Sequence, residues 1–170
     1  CARPPAMSQR TTYTALQVIK HVQQRDDLAQ IVLDSLHDNH LEIRDGDVLV
    51  LAQKIVSKAE GRIVELASVE PSSRALELAK IVQKDARLVE LVLEESIEVL
   101  RAIPHVLIVR HRLGHVMANA GIDHSNVEGG ENDRVLLLPL DPDASATTLR
   151  ERLRVALDCR LGVVITDSFG

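Results

Sequence analysis

Two apolar patterns alternate along this chain, one spaced like an amphipathic helix and the other typical of a buried strand. Between Asp26 and Asn39 the apolar residues recur at helical spacing, whereas Val48 to Ala52 is an uninterrupted apolar run. Some predicted strands follow one another without a helix between them, so the order predicts a mixed α/β or α+β fold. The patterns predict helices within 26–39, 72–83, 85–96 and 145–159, and strands at 48–52, 62–66, 105–111, 134–140 and 162–167.

The chain is long enough for one folded domain with its own core, since 45% of its 170 residues are hydrophobic. We predict that residues 1–12 are a tail, either disordered or added by cloning, with Met7 as the natural start. Residues 13–170 are predicted to form the domain. Because the sequence stops at Gly170, just after an apolar strand, we expect the domain to lack its C-terminal part here.

Charge and composition argue against several classes of partner. The net charge is −5 without a basic stripe, and one Tyr and one Phe offer no stacking surface, so nucleic acid is not an expected partner. Cys1 and Cys159 are too few for a disulfide framework, which favours a reducing compartment. No apolar run approaches the length of a membrane span. We therefore expect a cytoplasmic protein without a membrane partner.

The glycines exclude the common phosphate-binding loops. The eight glycines fit neither the GxxxxGK[ST] pattern of a P-loop nor the GxGxxG pattern of a dinucleotide-binding turn. A nucleotide, if one binds, must be held by another arrangement.

A cationic cluster in QKIVSKAEGR is the first candidate binding feature. Lys54 and Lys58 are predicted to extend a strand, where their even spacing would turn both side chains to the same face. Two ammonium groups on one face suit a polyanion such as a phosphate chain. The alternative is a charged edge strand that discourages aggregation.

The string RHRLGHVMANAGIDHSN supplies a carboxylate and three histidines. Asp123 suits a hard cation such as Mg²⁺ or Mn²⁺, with an ordinary Asx turn after Gly121 as the alternative. His111 and His115 have no third His or Cys at suitable spacing, so zinc is disfavoured and ordinary hydrogen-bonded histidines are expected.

The third candidate is the end of the apolar run VVITDSFG. Asp167 and Ser168 follow the predicted strand directly, and open α/β sheets place ligand groups at the carboxyl ends of strands. A simple turn is the alternative. Acids at two strand ends make a better hard-cation site than one, because such a cation favours several oxygens.

Residues 138–146, LPLDPDASA, are predicted to be a structural connection from a strand to a helix. Pro139 and Pro142 stiffen a turn, and Ser145 is the predicted N-cap of the last helix. Ser73 and Asp85 are the predicted N-caps of two earlier helices.

Four strings together closely resemble one family: SKAEGR, RHRLGHVMANAGIDHSNV, LLPLDPDASA and VVITDSFG, in this order. They are similar to the coenzyme F420-0:L-glutamate ligases, the γ-glutamyl ligases that build the glutamate tail of a deazaflavin coenzyme. The resemblance covers Asp26 to Gly170. It implies a family-specific mixed α/β fold, an intertwined homodimer, and GTP, L-glutamate and coenzyme F420-0 as substrates. It also implies Mg²⁺ or Mn²⁺ at two sites, with K⁺ as a further candidate ion.

The resemblance also implies roles for single residues and a route for the reaction. The implied nucleotide-binding residues are Gln53, Lys54, Lys58 and Asn126. The implied metal-binding residues are Asp123, Asp167 and Ser168. In the implied route a carboxylate attacks the γ-phosphate of GTP, and the acyl phosphate then reacts with the amine of glutamate.

One departure from the family pattern keeps other functions open. In IKHVQQRDD, Lys20 stands where the family usually has proline, and Arg25 stands where it usually has glycine. This loop helps to hold the nucleotide in the family, so the choice between GTP and ATP stays open. The alternatives are a related nucleotide-dependent amino-acid ligase with another carboxylate substrate, and a nucleotide-binding module without catalysis.

Overall fold

The structure, a computed structural model, describes residues 11–17, 21–123 and 133–167. The helices in these ranges are α1 (Leu28–Asp38), α2 (Gln53–Ala59), α3 (Ser73–Val82), α4 (Ala86–Glu94) and α5 (Pro142–Leu157). The strands are β1 (Val48–Ala52), β2 (Ile63–Glu65), β3 (Ser96–Ile103), β4 (Val106–His111), β5 (Val116–Ala118), β6 (Arg134–Leu136) and β7 (Gly162–Thr166).

The strands form three small sheets. β1 and β7 pair in parallel, with Val48 opposite Gly162. β2 and β6 pair antiparallel, and β3, β4 and β5 form an antiparallel sheet in that order. Parallel and antiparallel pairs thus occur together with helices, which confirms the predicted mixed α/β fold.

The core consists of separate clusters, each beneath its own sheet. Helices α3 and α4 cover the β3–β4 pair, where Val82, Val92 and Leu107 are fully buried. Helices α1 and α5 pack beside the β1–β7 pair, with Leu153 fully buried among them. A smaller cluster joins α4 to β6 through Leu91 and the residues around it. This arrangement leaves the carboxyl ends of β1 and β7 at the boundary between clusters.

The largest difference from the sequence-based expectation is α2. Lys54 and Lys58 were expected on an extended strand, but the chain turns into a helix at Gln53, directly after β1. The Ser57 hydroxyl donates to the Gln53 side-chain oxygen one turn earlier, at 2.8 Å. Spaced four residues apart, the two lysines still lie on one helix face. The two lysines thus lie on a helix and not on a strand, but they remain close to each other.

Several predicted boundaries also need correction. α4 ends at Glu94 and β3 follows at once, whereas a helix was predicted to continue to Ser96. The N-cap of α3 is Ser72 rather than Ser73. The predicted cap Asp85 is confirmed, since its side chain accepts from the Arg87 amide. The strand predicted at 134–140 ends at position 136.

α5 begins earlier than the pattern predicted. Asp141 caps it by accepting from the Ala144 amide, and Pro142 occupies the first turn, where its missing amide hydrogen costs nothing. Ser145, the predicted cap, lies inside the helix instead. Across the described ranges, none of the helices combines the length and apolar character that crossing a bilayer requires.

Candidate active site at the carboxyl ends of β1 and β7

Two distant parts of the chain meet at one edge of the β1–β7 sheet. The strands run parallel and Ala52 pairs with Thr166, so both leave the sheet at the same edge. Gln53 and Lys54 follow β1 directly, and Asp167 follows β7. Candidate nucleotide-binding and metal-binding residues are therefore neighbours here.

A cavity of about 300 Å³ opens at this edge. Gln53, Thr166 and Asp167 form its polar side, and His115 adds an imidazole. The rest of the lining is apolar: Leu113, Met117, Leu138, Pro139, Pro142 and Ile165. An apolar cleft with a few converging polar groups is the usual form of a small-molecule site.

A larger cavity, of about 410 Å³, lies between residues 12–16, α1 and β1. Its lining is predominantly apolar and includes no predicted site residue. The larger cavity therefore lacks the candidate residues, whereas the smaller cavity is lined by two of them, Gln53 and Asp167.

Gln53 forms the floor of the smaller cavity. Its side chain is nearly fully buried, and its oxygen accepts the hydrogen bond from Ser57, which is completely buried. In this arrangement the NH₂ group of Gln53 is left as a donor. Ser57 lies within the motif SKAEGR, but nothing in the sequence pattern predicted its supporting role.

Lys54 forms an ion pair with Asp123. The Asp123 side chain is mostly buried, and its backbone bridges to Leu136 through hydrogen bonds of 2.9 and 2.8 Å. Residues 119–121 precede it in a left-handed turn, with φ of 50°, 53° and 67°. Asp123 is thus held at a fixed position, and Lys54 connects it to the edge where Asp167 lies.

The remaining predicted site residues are placed less completely. Lys58 lies one turn beyond Lys54 on α2 and is half-buried. Asn126 and Ser168 lie outside the described residues. Their predicted roles, like those of the other site residues, stay predictions.

The donor chemistry at this edge fits a hard divalent cation. Within 11–17, 21–123 and 133–167, no three His, Cys, Asp or Glu side chains form a metal-binding cluster. Mg²⁺ does not need one, because it is commonly held by one or two carboxylates together with phosphate oxygens and water. Asp123 and Asp167 are the carboxylates that would supply those contacts.

His111 has a structural environment. It is completely buried, and its Nδ1 accepts a hydrogen bond of 3.0 Å from the Leu113 amide. Its Nε2 lies 3.4 Å from a carboxylate oxygen of Glu95. Because Nδ1 is an acceptor, the proton of the neutral ring is on Nε2, facing Glu95. The His111 ring therefore has a structural role in the protein interior, whereas His115 is exposed and lines the cavity.

Glu95 is the centre of a buried charge network that the sequence analysis missed. Its carboxylate accepts from Arg62 Nη2 at 2.7 Å and from Arg112 Nε at 3.0 Å. Burial by itself raises the pKa of Glu95, but hydrogen bonds from His111, Arg62 and Arg112 outweigh it and lower this pKa to about 2. Both arginines belong to conspicuous motifs, yet no spacing rule links them to Glu95.

The same arginines reach the wall of the cavity. Arg62 Nε donates to the Leu138 carbonyl at 2.9 Å, and Arg112 Nη1 donates to the Leu140 carbonyl at 3.1 Å. Glu60 accepts from the Leu140 amide at 2.9 Å. The segment 138–140, which contributes Leu138 and Pro139 to the cavity, is thus held by charged side chains.

A model of the F420-0:Gamma-glutamyl ligase family matches residues 18–170, nearly the whole chain. The chain belongs to this family. All elements of the candidate site lie within the matched range.

Individual γ-glutamyl ligase relatives agree with the family match. The chain is 46% identical over 149 residues to the coenzyme F420:L-glutamate ligase of Archaeoglobus fulgidus, covering 88% of this chain and 56% of the relative. It is 43% identical over 151 residues to that of Methanopyrus kandleri, covering 89% and 57%. For Natronomonas pharaonis the identity is 44% over 162 residues, covering 92% and 58%. The chain thus spans somewhat more than half the length of these relatives.

Proposed function

We propose that this chain forms the nucleotide-binding and metal-binding part of a ligase that joins L-glutamate to coenzyme F420-0 at the expense of GTP. The observation that carries the proposal is the convergence of Gln53, Lys54 and Asp167 at one edge, with Asp123 paired to Lys54. The names of the relatives supply the substrates: each is a coenzyme F420:L-glutamate ligase.

In the proposed reaction an oxygen of the coenzyme's carboxylate attacks the γ-phosphorus of GTP, and GDP leaves. The amine of glutamate then attacks the carbonyl carbon of the acyl phosphate, and inorganic phosphate leaves as the amine loses its proton. Phosphoryl transfer of this kind needs its charge neutralised and its groups held in line. Lys54 and Lys58 provide positive charge on one face of α2.

Asp123 and Asp167 are the proposed holders of Mg²⁺ or Mn²⁺, with Ser168 as a further oxygen donor. A bound divalent cation would neutralise phosphate oxygens. Gln53 would donate its free NH₂ group to a phosphate or sugar oxygen within the cavity, because its oxygen is already used by Ser57. Asn126 is proposed as a further nucleotide contact.

The finer parts of the proposal concern the assembly and the setting. We propose a cytoplasmic homodimer, as the family resemblance implies. The two-site arrangement of the metals and K⁺ as an additional ion rest on the same resemblance.

Isotope transfer tests the chemistry. The coenzyme substrate is labelled with ¹⁸O in its terminal carboxylate and incubated with the natural protein, GTP, glutamate and Mg²⁺. One ¹⁸O atom should appear in the released inorganic phosphate, because the acyl phosphate transfers that oxygen. Replacement of GTP by ATP, and of glutamate by other amino acids, tests the related-ligase alternative. Nucleotide binding without any turnover would support a non-catalytic module instead.

A lysine substitution tests the nucleotide site. Lys58→Ala should weaken GDP binding, measured by calorimetry, by about tenfold, because a charged contact to phosphate contributes roughly 1.5–3 kcal/mol. Lys80→Ala is the matched control, since Lys80 is exposed and lies on α3, which covers the β3–β4 pair and not the β1–β7 edge. Equal affinities for the two variants would remove Lys58 from the site.

A further inference from the structure

One wall of the cavity belongs to neither a strand nor a helix. β6 ends at Leu136 and α5 begins at Pro142, and residues 138–140 between them line or flank the cavity. Among the contacts described above, the backbone bonds of this wall are made by the side chains of Arg62, Arg112 and Glu60. The shape of the cavity therefore depends on these side chains.

Arg112 connects this wall to the buried interior. Its Nε donates to Glu95 and its Nη1 donates to the Leu140 carbonyl, while its own amide donates to the Glu95 carbonyl at 3.0 Å. The guanidinium is planar and carries its donors in a fixed fork, so one contact orients the other. Glu95 in turn is held by Arg62, which contacts Leu138.

We propose that Arg112 is a positioning residue, which fixes the 138–140 wall of the cavity by spanning from the buried carboxylate of Glu95 to the Leu140 carbonyl. Arg62 secures the other end of the wall at Leu138, and Glu60 secures the Leu140 amide. Loss of the Arg112 fork releases the wall, and a misplacement of about 1 Å near reacting groups can lower rates by up to about 100-fold. For ligand binding, the proposal rests on the proposed nucleotide function.

The first test measures the wall directly. In Arg112→Gln the Leu140 carbonyl loses its hydrogen-bond donor, and the wall loses its fixed orientation. Hydrogen exchange of the Leu140 amide should therefore accelerate by about tenfold. Arg110→Gln is the matched control, since Arg110 lies two residues earlier, near the end of β4, pairs with Glu98 and is exposed. Exchange at Leu140 should differ from wild type by less than about twofold in the control.

The second test separates positioning from simple structural support. Arg112→Lys keeps a cation beside Glu95, so its unfolding midpoint should return towards that of wild type. In Arg112→Gln the KM for nucleotide should also rise by about tenfold, because the wall is misplaced. A lysine cannot present the two-directional fork, so in Arg112→Lys Leu140 exchange should stay fast and the KM for nucleotide should stay raised. A purely structural arginine would give recovery of all three quantities together.

The proposal is overturned if Leu140 exchange in Arg112→Gln equals that in Arg110→Gln, or rises only in step with every other core amide. Should Arg112→Gln fail to fold, Arg112→Lys decides the same question, because it keeps a cation beside Glu95 and loses the fork. Leu140 exchange equal to that of wild type in Arg112→Lys would overturn the proposal. A wild-type protein that binds no nucleotide would defeat the proposed function, and the exchange measurements would still decide the role of Arg112.

Discussion

At Glu95 a carboxylate stays ionised in a place from which water is largely excluded. The cost of burial is met by two guanidinium groups and an imidazole, which together hold the pKa of Glu95 at about 2. Removing one partner of such a group leaves an uncompensated buried charge, which is strongly destabilising. The local stability of the fold therefore depends on Glu95 and the three side chains that contact it.

The lowered pKa of Glu95 predicts a component of acid sensitivity. Because the folded pKa lies below the ordinary value of 4.5, the stabilisation is complete above pH 4.5 and is lost as the pH falls towards 2. The difference in unfolding free energy between wild type and Glu95→Gln should shrink by about 3 kcal/mol over this window. Urea unfolding at several pH values measures it, with exposed Glu77→Gln as the control. Parallel pH profiles for wild type and Glu95→Gln would contradict the role of this carboxylate.

Arg25 occupies backbone space that favours glycine. Its φ is 70°, its side chain is exposed, and its amide donates to the Ala59 carbonyl at 2.9 Å. Glycine adopts this left-handed conformation without a steric cost, whereas arginine does not. We therefore expect Arg25→Gly to raise the unfolding free energy by about 1 kcal/mol through relief of strain.

Gln23, two positions before Arg25, provides the control for Arg25→Gly. Gln23 is exposed and is not among the residues with positive φ, so Gln23→Gly gains no relief and should be neutral or destabilising. Urea midpoints for the two variants should shift in opposite directions. A loss of stability in Arg25→Gly would show that its backbone conformation carries no strain.

At the scale of elements, helix ends depend on short polar side chains. Asp27 begins α1 by accepting from the amides of Ala29 and Gln30 at 3.0 and 3.1 Å. The same carboxylate pairs with Arg152 on α5, and this hydrogen bond lowers the pKa of Asp27. One residue thus starts a helix and ties it to another.

Two substitutions at Asp27 separate these contributions. Asp27→Asn keeps a capping oxygen and loses the ion pair, so it should cost less than about 1 kcal/mol. Asp27→Ala loses both and should cost about 1 kcal/mol more, because two amides at the helix start lose their acceptor. Thermal unfolding gives the two values, and Arg152→Gln should match Asp27→Asn. Equal effects of Asn and Ala would mean that the cap contributes nothing.

The predictability of elements from sequence follows their length and periodicity. α1 and α3 have enough turns to show a helical pattern, so they were predicted within a few residues. The seven residues of α2 are too few to show a period, and the preceding apolar strand made them look extended. β3 was missed because α4 runs into it with a single residue between them.

At the scale of the whole molecule, the mixed fold was predictable and the site only partly so. The sequence could indicate that Asp167 follows a buried strand, because the apolar run is visible. It could not indicate that β1 and β7 are neighbours, since parallel pairing of distant segments leaves no local pattern. The same limit hid the contacts of Arg62 and Arg112 with residues 138–140, which join segments far apart in the chain.

The parallel pairing of β1 with β7 has a consequence for the order in which the molecule acquires its parts. Most of the described chain separates Val48 from Gly162. Closing such a long loop is entropically unfavourable, so this pairing is expected late in folding. During synthesis β1 would leave the ribosome before β7, and the two strands could pair only after β7 had been synthesised. Helices α3 and α4 and the β3–β4 pair can form earlier, because the residues that they bring together are close in the sequence. The candidate site at this edge would therefore form only after β7 has been synthesised and has paired with β1.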